Sequence, residues 1–235
     1  MARKLRISIP NFTYHILDRG NNRQKIFLED SDYQYFLKLI NRYKKEFKFK
    51  LYHLCLMPNH IHLMLEPKEE NVLQKLMMCL TLAYSVYFNK KYNAYGHLWQ
   101  GRYKSCIIEK GEYFIWCGIY IELNPVRAGI VKKPEDYKWS SYSYYSYGKG
   151  EPLIESVIDL DPYYFSNLGN TEEECQERYK EYIEGVMEEK FLKKFRQNID
   201  IGVLGRDEFI EKIKDKFNIK LYMKRGRPKK HINKG

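Results

Sequence analysis

Phe49-Lys50-Leu51-Tyr52-His53-Leu54-Cys55-Leu56-Met57-Pro58-Asn59-His60-Ile61-His62-Leu63-Met64-Leu65-Glu66 decides the fold. Two apolar runs flank the turn formers Pro58-Asn59. So short a connection joins antiparallel strands, and a hairpin is predicted over 49–57 and 60–66. Successive side chains on a strand point to opposite faces. Ile61, Leu63 and Leu65 therefore share one face, suited to seat amphipathic helices. His60, His62 and Met64 share the other, expected to turn away from that core.

Before the hairpin, residues 5–20 read as a strand centred on Tyr14-His15-Ile16-Leu17, followed by the polar turn Arg19-Gly20-Asn21-Asn22-Arg23. Tyr33, Phe36, Leu37, Ile40, Tyr43 and Phe47 then recur at helical spacing, and Ser31 with Gln34 has capping-box spacing. After the hairpin, a helix is predicted over 71–91, with Leu73, Leu76, Met77, Leu80, Tyr84 and Tyr87 on its buried stripe. Residues 102–109 can form a fourth strand. A third helix starts near Glu112 and ends at Asn124-Pro125, where proline stops it. The order β-α-β-β-α-β, then α, is the ferredoxin-like α+β arrangement.

The stretch 139–150 lacks a helical apolar period and ends in turn residues, so the first domain is placed at 1–150. Residues 151–219 read as a helical region. Tyr179, Tyr182, Ile183, Val186 and Met187 recur at helical spacing, as do Phe209, Ile210, Ile213 and Phe217; a helix-turn-helix is one expectation there. Residues 220–235 carry seven Lys and Arg and no acid. Within them Lys224-Arg225-Gly226-Arg227-Pro228 resembles an AT-hook, whose Arg225 and Arg227 would enter a narrow A·T minor groove. A solvated basic tail is the plain alternative.

The chain has 235 residues, and 41 Lys plus Arg against 30 Asp plus Glu leave a charge of +11. Such a balance points to nucleic acid, because Lys and Arg displace the counterions of phosphates. A hydrophobic share of 44% excludes a wholly disordered chain. No run approaches the ~20 apolar residues of a membrane span. The charged start has no apolar stretch behind it, so no secretory signal is expected. Five scattered Cys argue against a disulfide framework and a zinc cluster. A cytoplasmic protein with no membrane partner is expected. Its 22 Tyr suit either stacking on flat partners or a Tyr-rich core.

His60 and His62, two apart on one strand, can bind one divalent cation through neutral ring nitrogens. Two half-exposed histidines with ordinary hydrogen bonds are the plain alternative. His53 on the neighbouring strand reads as structural, while His15, His97 and His231 have no partner at metal-ligand spacing. On the third helix Tyr120 and Asn124 lie four apart and share a face. A phenol with pKa ~10 is a poor nucleophile unless a metal or base favours the phenolate. Tyr113, two turns earlier, is the main rival.

Together, Met57-Pro58-Asn59-His60-Ile61-His62, Gly101-Arg102-Tyr103-Lys104-Ser105 and Tyr120-Ile121-Glu122-Leu123-Asn124-Pro125-Val126-Arg127-Ala128-Gly129 resemble the single-tyrosine HUH transposases. The nearest branch is the REP-associated tyrosine transposases (RAYT) of bacteria. The likeness covers about residues 5–147. It implies a ferredoxin-like enzyme that cuts and rejoins single-stranded DNA through a 5′-phosphotyrosine. Tyr120 matches the nucleophile, His60 and His62 match two metal ligands, and Asn124 holds the place of the third. Glu122 lies about 160° round the helix and is set aside. The implied cation is Mg²⁺ or Mn²⁺, with imidazole better suited to Mn²⁺.

Arg102, Tyr103 and Lys104 join charge to a stacking ring and suit unpaired bases. Arg19, Asn21, Asn22 and Arg23 could contact phosphate or a DNA hairpin. The implied partner is hairpin-forming single-stranded DNA, with a homodimer also in keeping with the family. A domesticated, non-cutting hairpin-binding regulator is the competing reading. An RNA-binding ferredoxin-like domain ranks last, since its aromatic sheet motif is not evident.

Overall fold

One central strand carries a ladder on each side. A computed structural model describes residues 8–186 and 202–217. In it β1 (Thr13–Arg19) runs antiparallel to both β3 (His60–Pro67) and β4 (Lys104–Ile108). β2 (Phe49–Met57) completes the hairpin with β3. The first four strands stand in the order β2-β3-β1-β4, as an α+β ferredoxin-like sheet requires. A fifth, β5 (Val203–Leu204), pairs parallel to β4. The sequence reading has no strand there, because two residues carry no legible alternation.

α1 (Asp30–Glu46) and α2 (Val72–Tyr92) pack on each other and cover the face of Ile61, Leu63 and Leu65, each at most 1% exposed. The predicted stripe of α1 is buried at Tyr33, Phe36, Leu37, Ile40 and Tyr43. Its capping differs from expectation. Glu29 is the N-cap, and Asp32 Oδ2 accepts from the backbone N–H of Leu28 (2.8 Å) and Glu29 (3.1 Å), so Ser31 and Gln34 do not form the box. Asp32 is held there by Lys91 and Tyr92 of α2, partners distant in sequence. On α2, Phe88 is buried while Tyr87 is only partly so. Tyr87 instead donates its hydroxyl to Asp32.

α3 (Glu112–Glu122) lies across the opposite face, chiefly over β2. The chain does not stop at proline. Leu123 keeps helical torsions, and α4 (Asn124–Arg127) adds another turn. Pro125 is tolerated because it sits in the first turn of α4, where its missing N–H has no helical partner. The stretch expected to lack a helix contains the short α5 (Tyr142–Tyr147). Buried aromatics rather than a periodic stripe hold it: Tyr145 is 1% exposed and donates its hydroxyl to Tyr52 O at 2.8 Å.

Beyond residue 150 the chain returns to the sheet. α6 (Pro152–Glu155), α7 (Tyr164–Leu168) and α8 (Glu172–Val186) follow in order. Asp159 accepts from Leu51 N (2.9 Å) and pairs with Lys44 and Lys50. On α8, Tyr179 and Ile183 are buried, but Tyr182 turns outward at 44% exposure and does not share their stripe. α9 (Asp207–Phe217) follows β5 after Gly205 and Arg206. Met187 and the basic tail, with Arg225 and Arg227, lie outside the described residues. Among the described residues no helix is long and apolar enough to cross a membrane.

Candidate active site

Register places the polar residues of three strands on one face. Arg19 stands opposite His60, which stands opposite Met57; Leu17, His62 and Cys55 form the next row, and His15, Met64 and His53 the third. This face was expected to turn away from a core, but α3 roofs it. Phe114, Ile115, Cys117, Ile119 and Ile121 of that helix are all buried, and an element so apolar must cover a surface. His15, His53 and His62 are in consequence 2%, 0% and 3% exposed.

Beside Tyr120, near the C-terminal end of α3, His15 Nε2 and His62 Nδ1 approach to 2.8 Å with their rings nearly parallel. The Tyr120 ring stands edge-on to both, its centroid 6.0 Å from that of His15 and 6.3 Å from that of His62. The Arg127 guanidinium lies over the Tyr120 ring at 4.5 Å, a cation–π contact that the added turn of α4 makes possible. His60 Nδ1 meets Asn59 Oδ1 at 2.5 Å. That carbonyl can only accept, so the proton lies on Nδ1 and the Nε2 lone pair is bare.

Asn124 sits one turn beyond Tyr120. Its amide nitrogen donates to the carbonyls of Tyr120 (2.9 Å) and Ile121 (3.0 Å), which directs Oδ1 as its donor atom for any cation. Tyr113 packs on Trp116 and has Glu109 and Asp207 in its electrostatic surroundings, so Tyr120 rather than Tyr113 meets the imidazoles. His15 escaped the sequence reading. Its partner is 47 residues away, and only the β1–β3 register brings the two together.

A second cluster lies under the same turn of the roof, on the other side of α3. His53 Nδ1 donates to Glu122 Oε1 (2.9 Å) and Nε2 donates to Asp161 Oδ2 (3.4 Å). Ser141 and Tyr179 also donate to Glu122, at 2.5 and 2.8 Å. Glu122 thus faces away from the Tyr120 site, as the helical angle predicts, and His53 is structural. Gly118 lets the helix close on this ring, since a Cβ there would stand 2.5 Å from His53 Cε1.

The two clusters have opposite electrostatics. Burial pushes His15 down to about 3, with His60 adding to the effect. Burial and Arg19 bring His60 down to about 4. Burial, aided by His15, His60, Arg127 and Arg19, holds His62 well below the usual imidazole range. For His53 burial also acts downward, but the hydrogen bonds to Asp161 and Glu122 outweigh it and raise the group to about 9. His60 and His62 are therefore neutral and His53 is cationic at neutral pH.

A divalent cation needs bare, neutral ring nitrogens. His62 Nε2 is buried with no hydrogen-bond partner. His60 offers Nε2, as its other nitrogen is taken by Asn59. These two atoms fit a cation, and Asn124 Oδ1 is chemically suited to join them. Among the described residues no group of three or more His, Cys, Asp and Glu side chains could hold a metal ion, so such a site would be two imidazoles and a carboxamide.

The polar residues assigned to DNA divide between places. Arg19 flanks His60. Asn21, Arg102 and Tyr103 line an open groove of about 920 Å³ beside α2, together with Asp18 and Trp99. Tyr103 is only 8% exposed, so its ring forms the groove wall rather than a free stacking surface. Asn22, Arg23 and Lys104 are exposed.

Residues 8–124 match the sequence profile of the family described as "Transposase IS200 like". Among solved structures, the chain resembles a REP-associated tyrosine transposase bound to a REP hairpin, at 20% identity and a TM-score of 0.53, over 68% of this chain and 93% of that one. It also matches a crystal structure of a protein from Deinococcus radiodurans assigned as a transposase, at 18% identity and a TM-score of 0.36, over 55% of this chain and 92% of that one. No curated protein sequence matches.

Proposed function

Residues 8–124 belong to the IS200-like transposase family, and from that membership we propose that this protein is a divalent-metal-dependent transposase of the REP-associated tyrosine type. It cleaves and transfers single-stranded DNA through Tyr120. The observation that carries the reading is the placing of the Tyr120 ring edge-on to the His15–His62 pair, with Asn124 on the next turn.

His60 and His62 would hold Mn²⁺ or Mg²⁺, with Asn124 as third ligand. When bound, the cation neutralises a non-bridging phosphate oxygen. The remaining work falls to the chain. α3 fixes the Tyr120 phenol, and Arg127 lies over its ring. The phenol oxygen attacks phosphorus in line. A phosphorus–tyrosine oxygen bond forms, the bond to the 3′ oxygen breaks, and the proton lost by the phenol balances the one gained by the departing 3′-OH. The covalent link conserves the bond energy, so another 3′-OH can reverse the step without hydrolysis.

The substrate is a single strand that folds as a hairpin. Support comes from the REP hairpin held by the structurally similar transposase and from the net charge of +11. The groove of Asn21, Arg102 and Tyr103 is the proposed path for unpaired bases, and the tail with Arg225 and Arg227 adds salt-dependent affinity. The test is a labelled hairpin oligonucleotide with Mn²⁺ on a denaturing gel. Wild type is expected to give a covalent adduct and Tyr120→Phe none, with hairpin binding retained. An adduct that persists in the variant would refute the nucleophile. Binding without any wild-type adduct would favour the non-cutting regulator.

A further inference from the structure

Tyr120, Asn124 and Arg127 are spaced i, i+4 and i+7 along the helical path that runs from α3 through Leu123 into α4. That spacing gathers all three on one side of it. The backbone fixes the third member: Arg127 N–H donates to Leu123 O at 3.0 Å, and the next residue, Ala128, donates to Asn124 O at 2.9 Å. The Arg127 guanidinium carbon stands 4.5 Å from the centroid of the Tyr120 ring, and the side chain is part-buried. Its charge is also felt at His62, so it borders the imidazoles as well as the phenol. A brace for the ring is the plain role for such a residue, since an Arg in the last turn of a helix and over an aromatic face is favourable in itself.

The chemistry asks for more than a brace. A phosphodiester under attack has two non-bridging oxygens, and a divalent cation neutralises one of them. The other gathers charge as phosphorus is attacked, and a fixed fork of N–H donors in a water-poor site suits it. Phosphorus at near-attack distance stands about 3–3.5 Å from the phenol oxygen. That oxygen belongs to the ring under the guanidinium, so a phosphate held there comes within reach of the Arg127 N–H groups. We infer that Arg127 is a further catalytic residue, whose guanidinium binds the second non-bridging oxygen of the scissile phosphate while the phenol on the same helical side attacks. Arg127 exchanges no proton; the phosphorus–tyrosine oxygen bond forms and the bond to the 3′ oxygen breaks as described above. The inference rests on the Tyr120 reading and gives its transition state a second source of positive charge.

The experiment times adduct formation in a single turnover, with protein in saturating excess over a labelled hairpin oligonucleotide and Mn²⁺ present. Wild type first defines the scissile position. A second substrate then carries a methylphosphonate there, each diastereomer taken separately, so that a methyl group replaces one charged oxygen. On the native strand Arg127→Ala should slow the adduct about 10²- to 10³-fold, as loss of one preorganised donor does. On one methylphosphonate diastereomer the same variant should react faster than on the native strand, because the charge that Arg127 met is gone. A brace acting only on the ring gives no such gain. Absence of a gain on both diastereomers, or a native-strand rate unchanged in Arg127→Ala, would overturn the inference alone, with the wild-type adduct still upholding Tyr120. Absence of any wild-type adduct would overturn the Tyr120 reading and this inference together. Should Arg127→Ala not fold, Arg127→Gln, which keeps a flat donor without the charge, carries the same comparison.

Discussion

Two histidine clusters share one face of one sheet and one helical roof, and they behave oppositely. His15, His60 and His62 are neutral and surrounded by Arg19 and Arg127. His53 lies three rows of the ladder or fewer away, equally buried, and is charged because a carboxylate meets each ring nitrogen. Burial is common to both and acts downward on all four. What separates them is the charge of the neighbour, and therefore whether a ring nitrogen is free to ligate or committed to an ion pair. α3 contributes to both clusters. Tyr120 reaches one cluster and Glu122, two residues on, the other. Read together, the charged cluster anchors the helix that delivers the phenol to the neutral one.

Glu122→Leu should break this division most severely. It leaves the His53 imidazolium facing Asp161 alone in a site with no exposure, and loss of a buried partner costs roughly 3–5 kcal/mol. Urea unfolding measures it, and a loss below about 1 kcal/mol would show that His53 does not hold the roof.

The pH dependence follows with a defined sign. His53 is raised from about 6.5 when unfolded to about 9 when folded, so its stabilisation is complete below about pH 6.5 and is lost as pH rises to about 9. The whole effect is about 3 kcal/mol at ~1.4 kcal/mol for each pKa unit. Thermal or urea unfolding between pH 6 and 10 should record that decline; a flat profile would mean a neutral His53.

The smallest effect on stability is expected at His60. It is part-buried and bonded to its own neighbour Asn59, so His60→Ala should move stability by no more than about 1 kcal/mol. Cleavage should nevertheless vanish with either Mg²⁺ or Mn²⁺ in the adduct assay. Retained cleavage would remove the metal role and leave the neutral cluster without a distinguishing task.

Much of this architecture was legible in local pattern. The apolar runs on either side of Pro58-Asn59 yielded β2 and β3 nearly to the residue, because strand alternation and turn chemistry are short-range properties. The spacing of Tyr120 and Asn124 put them on successive helical turns for the same reason, Tyr120 in α3 and Asn124 opening α4, and the helical angle correctly sent Glu122 elsewhere. Other features depended on partners far along the chain. The Asp32 cap is held from α2, α5 is held by Tyr145 buried against β2, and β5 exists only because β4 offers an edge. Pro125 misled because a proline rule concerns the interior of a helix, whereas this one opens a new turn.

The sequence by itself determined that two histidines two apart would share a face of a hairpin strand and that a phenol and a carboxamide would share a face of a helix. Those relations follow from backbone periods of two and 3.6 residues. Only the tertiary structure decided that His15 would meet His62, that Glu122 and Asp161 would charge His53, and that the helix would lie over the histidines rather than leave them in water. Those outcomes depend on sheet register and on burial, which raises the cost of every unpaired charge and is set by the whole packed molecule rather than by any segment of it.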